Sequence, residues 1–277
     1  MLRSMKDLEN YAIHATDGIV GHVKDYYFDD KVWVIRYLIV ETGTWLSNRK
    51  VLISPIAIGH PNWADKILPV SITKEQVRNS PEIDTEKPVS RQQEMDYFGY
   101  YGYQLYWGDA GLWGGGIYPD MLMPGYGGAV MTPQTLRADV LMANEKDKAE
   151  RHKDDDPHLR SCKAVIGYHI KAIDGDIGHV QGFIVDEVTW AIRYIIVNTS
   201  NWWLGHELLI APPWIRNVSW AESSAYVNVT RQILKDAPPY DSATQLDRTE
   251  ESRIHGHYGR PGYWADEMQR QSERLHQ

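Results

Sequence analysis

The chain has 277 residues, with 29 Lys and Arg against 37 Asp and Glu, and a formal net charge of −8. That balance argues against a general nucleic-acid binder, which needs basic surface to neutralise phosphates, and no apolar run approaches the roughly 20 residues of a membrane span. The single cysteine, Cys162, excludes an intrachain disulfide and a cysteine-rich metal site and fits a reducing compartment.

The N-terminus "MLRSMKDLEN" is polar and lacks a secretory apolar segment, so the expectation is a soluble cytoplasmic protein. Residues 11–15 read as a short strand, and the "TDG" that follows reads as a tight turn. Residues 19–28 read as a second strand, with Gly21 marking a bulge or a close backbone approach inside it. After the turn "DDK", the run "VWVIRYLIVET" has strong β propensity and is apolar on both faces, so both faces should be covered. "RKVLIS" is a fourth strand, Pro55 breaks it, and "KILPVS" is a fifth. "TKEQVRNSP" reads as a short helix capped by Thr73, with Gln76 three residues on and Pro81 at its end. Short strands punctuated by turns, with one small helix, predict a small antiparallel barrel.

The chain then repeats itself. At an offset of 157, with no gap, about 31 of the 83 positions from 2 to 84 are identical. Asp17, Gly18, Gly21, His22 and Val23 face Asp174, Gly175, Gly178, His179 and Val180, and Trp33, Ile35, Arg36 and Tyr37 face Trp190, Ile192, Arg193 and Tyr194. A period this long means two copies of one domain rather than a solenoid. The expected fold is therefore mainly β: two tandem small antiparallel β-barrels, each with a short helix. The boundaries are 1–84 for the first repeat and 85–158 for an aromatic, Gly-rich extension with a charged linker. The second repeat is 159–241, and 242–277 forms a C-terminal extension. Residues 85–96 read as charged and polar, and 144–158 as a solvated linker expected to be mobile. Ile35, Ile39, Leu52 and Ile53, with Ile192, Ile196, Leu209 and Ile210, are the expected core.

The stretch "DGIVGHVKDYYFDDKVWVIRYLIVETGTWLSNRKVLISP" resembles the PRC-barrel family: D-G-x-x-G-x-V, an acidic turn, W-x-I-R-Y-L-I-V, T-G-x-W, and a strand ending in S-P. The resemblance covers both repeats and little of the region between them. It implies the fold strongly and the function weakly, because fold alone does not fix activity. The family includes the cytoplasmic barrel of the photosynthetic reaction-centre H subunit, the C-terminal barrel of a ribosome maturation factor and many stand-alone bacterial proteins. It thus implies a photosynthetic or electron-transfer accessory, or a ribosome accessory, as alternatives. In the second copy Arg49 and Lys50 become His206 and Glu207, so contacts of the basic pair should not recur.

Several residues stand out. Arg36 and Arg193 lie within apolar strands and need partners; Asp29 and Asp186, one hairpin turn away, are the candidate ion-pair partners. His22 and His179 recur, but no repeated nucleophile accompanies them, so they read as surface or hydrogen-bonded histidines. His206, Glu207, His255 and His257 offer no converging third or fourth donor for a metal. "GLWGGGIYPD" lacks the Lys, Ser or Thr and the helix of a phosphate loop. Tyr and Trp number 17 and 11 against 3 Phe, which places polar-tipped rings at half-buried positions and interfaces.

The aromatic extension also repeats. Tyr101, Gly102, Tyr106, Trp107 and Asp109 share the offset with Tyr258, Gly259, Tyr263, Trp264 and Asp266. Fixed spacing of large rings predicts a docked strip, with Trp107 and Trp264 as mostly buried anchors. The dock is expected on the outer face of "VWVIRYLIV": of the strip's own barrel, of the other barrel, or of a second chain. The last two would make the strip an assembly device and favour a homodimer or a tight tandem pair. Tyr101, Tyr106, Trp107, Tyr258, Tyr263 and Trp264 are thus the candidate docking residues. The functional expectation is a non-catalytic binding or scaffold protein with a protein partner and no cofactor. A deep pocket lined by His and carboxylates would point to an enzyme instead.

Overall fold

In a computed structural model, residues 1–82, 89–107, 111–125, 158–199 and 206–265 are described. Asp109, Asp266 and the linker 144–157 lie outside them. The chain is mainly β and divides into two compact units. The first comprises Met1, residues 5–164 and residues 186–192; the second comprises Leu2–Ser4, residues 165–185 and residues 193–277.

In the first unit the strands are β2 (Ala12–Ala15), β3 (Gly18–Asp29), β4 (Val34–Glu41), β5 (Lys50–Ile53) and β6 (Ile67–Pro69). They lie in the order β5-β4-β3-β2-β6, and the segment Leu159–Ser161, here β7, adds to β3. The expected all-antiparallel closed barrel is corrected here. The sheet is mixed and does not close on itself, because β6 pairs with β2 in parallel, Ala12 opposite Ile67 and His14 opposite Pro69. Parallel neighbours need a crossover rather than a hairpin, and the chain supplies one between β5 and β6. Ser54 caps a 3-10 turn at Pro55–Ala57, its hydroxyl accepting from Ile56 N. Pro69 offers no N–H, which suits an edge strand. The short helix α2 (Lys74–Asn79) carries the expected capping box of Thr73 and Gln76, and its first N–H also donates to Asp17 Oδ1 at 2.7 Å.

The second unit repeats the plan. Strands β8 (His169–Ala172), β9 (Gly175–Asp186), β10 (Ile192–Asn198), β11 (Glu207–Ile210), β12 (Ile215–Ser219) and β13 (Ser224–Val227) run in the order β11-β10-β9-β8-β13-β12. Leu2–Ser4, β1, pairs with β9, and β13 lies parallel to β8, as β6 does to β2. The helix α5 (Arg231–Lys235) is again tied at its start, Arg231 N to Asp174 Oδ1 at 2.7 Å. The small helices α1 (Met5–Leu8) and α4 (Cys162–Val165) follow β1 and β7.

Each sheet therefore holds the first strand of the other repeat. In the first unit Tyr27, Phe28 and Asp29 pair with Ser161, Arg160 and Leu159. Asp25 accepts the Ser161 hydroxyl and the Lys163 amide, and Arg160 pairs with Asp30 at 3.1 Å. Leu159 is 2% exposed, so this strand is a core element.

All seven residues Val34–Val40 are buried, as are Leu52 and Ile53 and the four counterparts Ile192, Ile196, Leu209 and Ile210. β3 bends to follow them, with register shifts at Val23/Asp25 and Tyr27/Phe28. The facing strand β2 shifts at Ile13/His14, opposite Gly21. A Cβ on Gly21 would sit 2.0 Å from Glu41 O, and one on Gly178 2.1 Å from Asn198 O. The bend is thus possible only with a bare Cα at both sites. Gly21→Ala should destabilise the chain by about 1–3 kcal/mol, since strands must separate to admit a methyl group. Gly99→Ala, on a helix where nothing lies within 4 Å of the added Cβ, should stabilise by about 0.5–1 kcal/mol. Urea denaturation of the two variants checks this; equal midpoints would contradict the close-approach account.

Candidate functional site

β4 leaves two side chains that apolar packing alone cannot satisfy, Arg36 and Tyr37, which are 2% and 0% exposed. The segment that follows the repeat satisfies both. A helix not anticipated in the charged stretch, α3 (Arg91–Tyr101), is started by a Ser90–Gln93 capping box and ended by Gly102 at φ 71. It carries Glu94, which has no exposed surface. Its Oε1 accepts from the hydroxyls of Tyr37 at 3.1 Å and Tyr106 at 2.6 Å. Its Oε2 accepts from Arg91 at 2.9 Å and lies 2.8 Å from His158 Nε2.

Arg36 is held by the chain beyond the helix. Its Nη1 donates to Leu112 O at 2.7 Å, and its Nη2 lies 3.5 Å from Asp29 Oδ2. Its guanidinium sits 3.7 Å above the Tyr106 ring and 4.7 Å from that of Trp113, close enough for cation–π attraction. Asp29 Oδ1 also accepts from the amides of Lys31 and Val32, closing the turn that leads into β4. Tyr97 closes the other side: its hydroxyl donates to Leu52 O and accepts from Ser54 N, both at 3.1 Å.

The second unit builds the same clamp on α6 (Arg248–His257), whose N-cap Asp247 stands 157 positions after Ser90. Tyr194 meets Glu251 at 2.9 Å, Arg248 pairs with Glu251 at 3.1 Å, and Arg193 lies 3.9 Å above the Tyr263 ring. The strip residues thus dock on their own repeat. Docked there, the strip completes its own repeat instead of joining it to another. Trp107 and Trp264 are half-buried, because each has one face against a guanidinium, Arg91 at 4.2 Å and Arg248 at 4.1 Å. Tyr106, 3% exposed, is the anchor in the first unit, while Tyr263 is half-buried. Tyr101 stacks on Tyr103 at 5.3 Å, and Tyr258 packs at a tilt against Trp214 at 4.5 Å. Asp186 Oδ1 accepts from Val188 and Thr189, as Asp29 accepts within its own turn. Glu94, Glu251, Arg91 and Arg248 were missed by sequence reasoning, although they obey the same offset.

The two clamps are tuned in opposite directions. Burial pushes the Glu94 carboxyl up, but the hydrogen bond and charge of His158, then Arg91 and the Tyr106 hydroxyl, outweigh it and leave Glu94 below its ordinary range. No histidine stands at the position matching His158, which is Met1 at this offset. Burial therefore prevails in the second clamp, and Glu251 is raised. There Phe98 is replaced by His255, whose basicity burial lowers. Its Nδ1 faces Pro261 O and its Nε2 faces the Tyr194 hydroxyl, both at 2.9 Å.

The other singled-out groups take structural places. His22 is exposed and His179 half-exposed, and His257 bonds to Ile233 O. Arg49 donates to the carbonyls of Arg78, Ser80 and Pro81, whereas Glu207 accepts from Gln181. The amides of Gly111, Trp113, Gly114 and Gly116 all donate to protein carbonyls and are not free to cradle a phosphate. Among the described residues, no group of three or more His, Cys, Asp or Glu is placed to hold a metal, and no helix is long and apolar enough to cross a membrane.

One concave feature lies in the first unit. A groove of about 650 Å³ runs between the segment 58–63, the segment 118–123 and the turn 187–190. Its walls are chiefly apolar and aromatic, with His60, Asp120 and Glu187 among the residues that line it.

Residues 3–77 match the family model of the PRC-barrel domain. The match spans the first repeat and stops before α3 and the strip. No curated protein matches the chain.

The opposite tuning has a measurable consequence. Glu94 contributes stability that is present above the ordinary carboxylate value of 4.5 and is lost as pH falls through its depressed folded value. Glu94→Gln should cost about 3–5 kcal/mol at pH 7, since it removes the carboxylate that pairs with the Arg91 guanidinium, and this difference should shrink in acid. Glu251, raised instead, contributes most in acid and loses that contribution as pH rises through its folded value. Glu251→Gln at pH 7 should cost only about 0.5–1.5 kcal/mol, the worth of an ordinary hydrogen bond. Denaturant titrations at pH 7 and pH 4 check both; equal losses for the two variants would contradict the tuning.

Proposed function

We propose that this chain is a non-catalytic binding or scaffold protein: two tandem small barrels of the PRC type that present their surfaces to a protein partner. The observation that carries the reading is the saturation of Glu94. It is the most buried carboxylate of the first unit, and Tyr37, Tyr106, Arg91 and His158 occupy both its oxygens. An active site keeps a group free for substrate and faces it into a cavity. Here the converging polar groups serve one another and hold the strip in place.

The groove also brings a histidine near carboxylates, and its wiring supports binding rather than chemistry. No hydrogen bond joins His60 to Asp120 or Glu187 among the described residues. His60 and Asp120 are exposed, and Glu187 is already engaged by the Met1 ammonium at 3.4 Å. A base without an orienting partner and without a neighbouring nucleophile lacks the parts of general acid–base or covalent catalysis.

The exchanged strands favour self-assembly as a second reading. The pairing of β7 on β3 joins segments 130 to 134 positions apart, and the same pairing made between two chains would yield a strand-swapped dimer. Capture with the full chain from extracts of its own cells, followed by rebinding of each captured protein in purified form, tests the first reading. Direct, saturable binding by a purified protein is expected, and failure of every captured protein to rebind would overturn it. Light scattering tests the second: a mass of one chain at all concentrations would remove it.

A further inference from the structure

The groove of the first unit has features that the clamp does not use. Trp63, Tyr118, Pro119, Met123 and Trp190 give it flat, apolar walls. Trp190 is held there by the backbone: it sits at φ 58, and the reciprocal bonds Ile35 N to Trp190 O at 2.9 Å and Ile192 N to Trp33 O at 2.7 Å fix it beside β4. The residue is 3% exposed, yet among the described residues its indole N–H has no acceptor and is not sealed from solvent. Tyr118 is 39% exposed, and its hydroxyl likewise has no partner among the described residues. Asp120, beside it, is exposed and its carboxylate is unpaired within the same set. Glu187 holds the Met1 ammonium, so Asp120 is the charge left for a ligand.

These groups select a ligand chemistry. Two residues lining the groove carry donors with no acceptor among the described residues, and such donors call for acceptors, which an ammonium ion cannot supply and a hydrocarbon does not have. A peptide strand added to the sheet edge is disfavoured, because the amides of Ile58, Gly59 and Asn62 along the lip already donate to Pro55, Pro69 and Ile67. A polyproline II segment fits each requirement. It is extended and rigid, its carbonyls point outward without internal partners, and its rings pack on aromatic side chains. The free carboxylate adds a preference for a basic residue in that segment, and no Lys or Arg lines the groove to oppose it.

We propose that this groove binds a proline-rich segment carrying a basic residue, presented by a partner protein. The proposal rests on the protein-binding reading and names the partner's recognised element. Its test uses the full chain labelled with ¹⁵N and titrated with a peptide of Pro-Pro-Arg repeats. Peptides of Pro-Pro-Glu and of Gly-Ser-Arg repeats serve as controls, and Trp190→Phe assigns the Trp190 indole resonance. That resonance should shift with the Pro-Pro-Arg peptide, about tenfold less readily with Pro-Pro-Glu, and not with Gly-Ser-Arg. Asp120→Asn should weaken binding about tenfold and erase the difference between the two proline peptides, and Tyr118→Ala should weaken both. Both positions are exposed, so unchanged melting temperatures separate loss of binding from loss of folding. The proposal is overturned if the Pro-Pro-Arg and Gly-Ser-Arg peptides act alike, or if Asp120→Asn leaves affinity intact. It is also overturned if the resonance moves with protein concentration alone, which would assign the groove to a second copy of this chain. None of these failures touches the wider reading, which is tested on whole captured proteins.

Discussion

A carboxylate with no exposed surface must be matched by donors or it destabilises whatever encloses it. Glu94 is such a group, and the organisation of the first unit follows from matching it. Tyr37 reaches it from the sheet, Arg91 from its own helix, Tyr106 from the strip, and His158 from the residue before the exchanged strand β7. Four separate stretches of chain thus converge on two oxygen atoms. The strip is docked because its tyrosine completes that set and lies under the guanidinium of Arg36, which has its own need for a partner.

The second clamp shows how much of this is set by one residue. It keeps the arginine, tyrosine and glutamate of the first, but nothing matches His158 in kind. With less positive charge around it, the balance tips, and Glu251 is raised where Glu94 is lowered. The two units share this packing and differ in their electrostatics, because a buried network responds to the loss of a single charged partner.

Divergence extends to the surface. The groove of the first unit is lined in part by residues 118–123, and a residue 157 positions after Tyr118 lies outside the described chain, while His60 and Pro61 correspond to Asn217 and Val218. In the second unit the stretch matching 58–62 is instead the strand β12. The two units thus share a strand plan and differ on the surface, since fold and binding site are separable properties.

The sequence by itself determined the internal repeat at one offset, the mainly β character and the apolar core positions, while it left the dock of the aromatic strip open. Those signals are local or periodic: turn residues at fixed places, an apolar run in β4, and side chains repeated at one offset. Gly21 was legible as a close approach because only glycine permits it, though the partner, Glu41 O, was not. The sequence did not show that β6 runs parallel to β2, because a crossover through Pro55–Ala57 has no periodicity of its own. It did not show that each first strand, "LRS" in both copies, adds to the other repeat's sheet, because three residues pair equally well with either partner. It also hid Glu94, which lies in a stretch read as charged and polar, and Glu251 at the same offset. Only the folded chain decided that they are buried: burial depends on which distant hydroxyls and guanidiniums arrive around a carboxylate, and that is a property of tertiary contacts rather than of neighbours in sequence.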